Sequence, residues 1–92
     1  MLKTVQLSKR AKKDLLRVPH YVAVHLTKWV EDVENRGLEE VRKIPGYHDE
    51  PLEGHRKGQR SIRLTRGYRA IYRVYETQIK FIEVQEVNKH EY

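Results

Sequence analysis

The chain has no cysteine among its 92 residues. That excludes a disulfide framework and a thiolate metal site. It suits a reducing cytosol. The N-terminal MLKTVQLSKRAKK holds no apolar run long enough for a signal peptide or a membrane span. A soluble, cytoplasmic protein with no membrane partner is therefore expected. No repeat, low-complexity tract or linker divides the chain, so residues 1–92 read as one small domain. A domain of this size buries a limited share of its surface. A partner that covers apolar surface would add stability.

One further absence is local. Residues 54–75 contain no Asp or Glu but seven Lys or Arg. Residues 1–17 carry six Lys or Arg and one Asp, whereas residues 28–53 carry eight acids against four basic residues. The formal charge is +6 and the pI about 9.7. A charge excess gathered in two stretches favours a polyanionic partner.

The basic stretch RKGQRSIRLTRGYRAIYRVY (residues 56–75) is nonetheless no disordered tail. Ile62, Leu64, Ile71 and Val74 run through it with three tyrosines. Alternation predicts strands over about Gln59–Thr65, Tyr68–Tyr75 and Ile79–Val87. Upstream, Lys3–Leu7 reads as a short edge strand. Ser8 is placed to cap a helix over Lys9–Val18 with the stripe Ala11, Leu15, Val18. Pro19 breaks that helix. A second helix over His20–Asn35 carries Val22, Leu26, Trp29, Val30 and Val33 at helical spacing, and Gly37 ends it. Leu38, Val41 and Ile44 suit one or two further helical turns. Pro45-Gly46 marks a turn and His48–Gly54 a loop. The order β-α-α-β-β-β predicts an α+β fold, with a helical hairpin packed on one face of an antiparallel sheet.

Register then gives the basic stretch two faces. A three-residue turn, Arg66-Gly67-Tyr68, with a left-handed glycine sets Leu64 against Ala70 and Arg63 beside Arg69. Helices cover Ile62, Leu64, Ala70, Tyr72 and Val74. The other face presents Arg63, Arg69 and Arg73. Like charges on neighbouring strands repel, and guanidinium forks suit phosphate. The alternative is a solvated face whose arginine stems cover apolar surface. Trp29, Tyr68 and Tyr72 read as packing residues. His20, His25, His48 and His55 lack zinc-ligand spacing, so no metal or other cofactor is expected.

PLEGHRKGQRSIRLTRGYRAIYRVY with the closing NKHEY resembles the RelE/ParE superfamily of type II toxins, with the closest likeness to HigB-like and RelE-like mRNA interferases. The motif likeness covers residues 45–92 and the element order covers the whole chain. The resemblance implies a toxin that cleaves mRNA, usually in the ribosomal A site, without a metal. The 2′-hydroxyl attacks the adjacent phosphate and a 5′-hydroxyl leaves. Such a reaction needs a base, an acid and positive charge around the phosphorane. By the same resemblance Arg69 stabilises the phosphate and Arg63 assists from the preceding strand. Glu50 matches the general base of YoeB-type toxins. His90 and Tyr92 fall where the family places acid, base or stacking groups. Arg56, Lys57 and Arg60, with Arg73, would bind mRNA or 16S ribosomal RNA. Two departures stand out: Glu53 replaces a lysine common in HigB-type toxins, and Glu91 separates His90 from Tyr92. The base is therefore Glu50 or His90, and the acid His90 or Tyr92. The expected partners are mRNA, the ribosome and a cognate antitoxin in a hetero-oligomer. A gyrase-poisoning toxin of ParE type and a non-catalytic nucleic-acid-binding module are the alternatives.

Overall fold

The computed structural model describes residues 1–89. Strand β1 (Val5–Leu7) leads into α1 (Lys9–Arg17), α2 (His20–Arg36) and the short α3 (Leu38–Arg42). A 3-10 turn at Pro45–Tyr47 precedes β2 (Glu50–Pro51), and a second at Gly54–Arg56 precedes β3 (Gln59–Thr65). Strands β4 (Tyr68–Glu76) and β5 (Lys80–Lys89) complete the fold.

Local chemistry sets the helix ends. The Ser8 hydroxyl accepts from the Ala11 amide at 3.0 Å, the expected cap, and donates to the Gln85 carbonyl at 2.8 Å. One residue thus starts α1 and fastens it to β5. Val18 is extended because Pro19 follows it, and α1 stops there. Gly37 ends α2 at φ 85°, a left-handed conformation that favours glycine. A Cβ there would also meet the Met1 side chain at 2.6 Å.

The sheet order is β1-β5-β4-β3-β2, with β1 parallel to β5 and every other pair antiparallel. Parallel pairing lets a three-residue N-terminal strand close one edge while the chain departs directly into α1. The helices cover one face. Ala11, Val22, Leu26, Trp29, Val33, Leu38 and Val41 pack there against Ile62, Leu64, Ala70, Tyr72, Ile82, Val84 and Val87. Trp29 and Tyr72 meet at 5.3 Å between ring centroids. This is the expected α+β architecture, with the predicted core strands in place.

Three expectations need correction. The segment His48–Gly54 is not all loop: Glu50 and Pro51 pair with Ser61 and Arg60 as the other edge strand. Proline is tolerated at such an edge. The β3–β4 turn is also tighter than expected. Thr65 pairs directly with Tyr68, leaving only Arg66-Gly67 between them, and Gly67 is not left-handed. A bulge at Leu64 absorbs the extra residue, so Ala70 faces Ile62 rather than Leu64. The bulge keeps Leu64 in the core and still sets Arg63 directly opposite Arg69. Strands β4 and β5 also run on slightly, to Glu76 and Lys89.

Candidate active site

The sheet face away from the helices carries Ser61 and Arg63 of β3 and Arg69, Ile71 and Arg73 of β4. At its β2 end lies a cleft of about 210 Å³. Arg63, Arg66 and Arg69 line it together with Glu50, His48 and Tyr68. Ser61, buried, forms part of its floor. Three guanidinium groups thus surround a space bordered by one carboxylate and one imidazole. Among the described residues the Arg69 Nε is buried with no hydrogen-bond partner. Leaving such a donor unpaired costs free energy. No three His, Asp or Glu side chains among the described residues come together as a metal site.

The segment 47–50 is what brings carboxylate and imidazole to the arginines. The Tyr47 hydroxyl donates to Asp32 of α2 at 2.5 Å. Burial and that carboxylate together push the Tyr47 phenol above its ordinary range. Asp49 turns inward, with 1% of its side chain exposed. It accepts from the Arg60 Nε at 2.6 Å and from the Tyr72 hydroxyl at 2.5 Å. Burial opposes the Arg60 charge, but Asp49 more than compensates and holds the guanidinium more firmly protonated. The Tyr72 phenol is raised by burial and by the same carboxylate. Glu50, next to Asp49 and in β2, lines the cleft, and so does His48, whose backbone is left-handed. His48 Nε2 there lies 3.3 Å from the Arg63 guanidinium.

Glu50, Arg63 and Arg69, named as site residues on the family resemblance, line one cleft. The expected RNA-contact residues divide. Arg60 lies beside Tyr72 on the helix-facing side and is held by Asp49, so its guanidinium is not part of the arginine face. Charge alone does not reveal such a buried partner. Arg56 is bound to Glu86 through two hydrogen bonds of 3.2 and 3.3 Å. Arg73 stands farther along β4, between Gln59 and Glu83. Its guanidinium lies against Gly58, where a Cβ would come within 3.2 Å of it. Lys57 is exposed at the end of the second 3-10 turn. His90 and Tyr92 lie outside the described residues. His48 and Asp49 were missed. Their only signal was their place beside Glu50 in HDEP, which says nothing of which side chain turns inward.

The comparisons agree with this architecture. The model of the family "ParE toxin of type II toxin-antitoxin system, parDE" matches residues 5–91. YafQ from E. coli strain BL21(DE3) superposes with a TM-score of 0.74 at 20% identity, covering 96% of this chain and 93% of that one. The YoeB/ParE toxin from Agrobacterium tumefaciens gives 0.69 at 19% identity, covering 96% and 99%. The toxin-antitoxin complex RelBE2 from Mycobacterium tuberculosis gives 0.70 at 19% identity, covering 98% and 100%. No curated protein sequence matches the chain. A family model that spans nearly the whole length, over the fold those structures share, makes this chain a member of the ParE toxin family of type II toxin-antitoxin systems, within the RelE/ParE superfamily.

Proposed function

We propose that the protein is an endoribonuclease that cuts mRNA on the ribosome and so inhibits translation. The observation that carries this reading is the Arg63–Arg69 cross-strand pair, set in a cleft with Glu50. Opposed guanidinium groups favour a bound phosphate and stabilise it most as charge builds on the phosphorane. Glu50 supplies a carboxylate within the same cleft. The 2′-hydroxyl of the bound nucleotide then attacks the phosphate and a 5′-hydroxyl departs. The resemblance assigns the acid to His90 or Tyr92, which lie outside the described residues. Lys57 and Arg73 add positive charge beyond the cleft, and Arg56 does so less because Glu86 offsets it.

The natural inhibitor is an antitoxin, as in the E. coli DinJ-YafQ toxin-antitoxin complex, whose toxin chain has this fold. The site of action is then the cytoplasm, where ribosomes are. No described helix is long and apolar enough to cross a membrane.

A second reading, gyrase poisoning without RNA cleavage, is favoured by the family model itself, which describes ParE toxins. Primer extension on ribosomes stalled over a defined mRNA separates the two. Cuts at the A-site codon that disappear with Arg69→Ala support the nuclease. Absence of cuts, with loss of DNA supercoiling by gyrase, supports the second reading.

A further inference from the structure

His48 lines the cleft without having a part in the reaction as outlined. We infer that His48, rather than Glu50, is the catalytic base that takes the proton from the attacking 2′-hydroxyl. The inference rests on the nuclease reading and names a residue within that site.

Three observations carry it. First, His48 is held in place by a backbone that costs energy to adopt. It is the one described non-glycine residue at positive φ, 45°. Side chains other than glycine occupy that region only when their surroundings impose it. Here the His48 amide donates to the Pro45 carbonyl at 3.1 Å. The flanking Tyr47 and Asp49 are tied to α2 and to the core network. The imidazole is therefore exposed at the cleft on a fixed stem.

Second, the contact with Arg63 orients the ring. A guanidinium has donors only. The Arg63 Nη1 lies 3.3 Å from His48 Nε2, so a hydrogen bond between them has the guanidinium as donor and Nε2 as acceptor. That geometry turns the edge of the ring toward the arginine site. A phosphate that draws Arg63 to itself leaves Nε2 beside the bound phosphate.

Third, an imidazole is better matched than a carboxylate to accept a proton near neutral pH. Among the described residues, the titratable and charged groups that share its cleft are Arg63 of β3, Tyr68 and Arg69 of β4, Arg66 of the turn and Glu50 of its own segment. In the step, Nε2 takes the 2′-hydroxyl proton as the O2′–P bond forms. The P–O5′ bond breaks, and O5′ takes a proton from the terminal acid or from water. The products are a 2′,3′-cyclic phosphate and a 5′-hydroxyl.

The test is the single-turnover rate of A-site cleavage against pH, for wild type, His48→Asn and Glu50→Gln. Asparagine tolerates the left-handed backbone, and the thermal midpoint checks each fold. The wild-type rate should rise with pH through the imidazole range. His48→Asn should lower it about 10²–10⁴-fold and remove the rise. Glu50→Gln should keep the rise. A rise that survives in His48→Asn, or is lost only in Glu50→Gln, overturns the assignment while leaving the nuclease reading intact. No cleavage by the wild type overturns both.

Discussion

Arg63 and Arg69 face each other directly across β3 and β4, on the sheet side that the helices leave uncovered. A bulge at Leu64 makes the pairing possible, since it shifts register by one residue without taking Leu64 out of the core. Facing like charges oppose strand pairing. They serve a purpose when an anion arrives between them, and RNA phosphate is the anion proposed.

That placement separates arginines that look alike in the sequence. Arg69→Ala should weaken RNA binding and lower the slope of log affinity against log salt by about 1, as expected for one lost phosphate contact. Arg60→Ala should leave the slope unchanged, because its guanidinium is committed to Asp49 on the other side. Equal slopes for wild type and Arg69→Ala in filter-binding titrations would contradict the assignment.

The same Asp49 network makes a prediction about stability. Asp49→Ala leaves the Arg60 guanidinium and the Tyr72 hydroxyl without the acceptor they share. Removing one member of a largely buried charged pair costs about 3 kcal/mol or more. Asp49→Asn, which keeps an acceptor oxygen, should cost less. Urea unfolding at neutral pH measures both. A cost for Asp49→Ala within about 0.5 kcal/mol of zero, the range of an ordinary surface change, would contradict the network.

Glu86 sets an acid limit. Burial alone would raise its carboxyl. Hydrogen bonds from Arg56 and Asn88, with the charges of Arg56 and Arg10, outweigh burial and hold it below its ordinary range. A carboxyl lowered on folding stabilises the native state fully above its unfolded value, about pH 4.3. That contribution is lost as pH falls through the lower folded value. Glu86→Gln should therefore lower stability at pH 7 and flatten the acid decline. An unchanged decline in urea midpoints would show that Glu86 does not contribute to it.

The periodic features of the fold were legible in the sequence. Helical spacing gave α1 and α2, and strand alternation placed Ile62, Ala70 and Tyr72 inward with Arg63 and Arg69 outward. The misreadings were at places where neighbours in sequence do not decide. A two-residue strand at Glu50–Pro51 is too short to alternate. The choice between a three-residue turn and a two-residue turn with a bulge depends on how Leu64 packs. Arg60 and Arg56 find partners 11 and 30 residues away. Within the acid-free stretch they resembled Arg63, and only the folded chain distinguishes them. His48 was weighed as a zinc ligand because it is a histidine. Its contact with Arg63 depends on a left-handed backbone at His48, which no spacing reveals.

The most direct test of the central claim is the single-turnover rate at which purified protein cuts mRNA in the ribosomal A site, measured for wild type and a folded Arg69→Ala. The account predicts a 5′-hydroxyl product and a loss of roughly 10²–10³-fold in the variant, the typical effect of removing one strong stabilising donor. Cleavage at the wild-type rate by Arg69→Ala would contradict it.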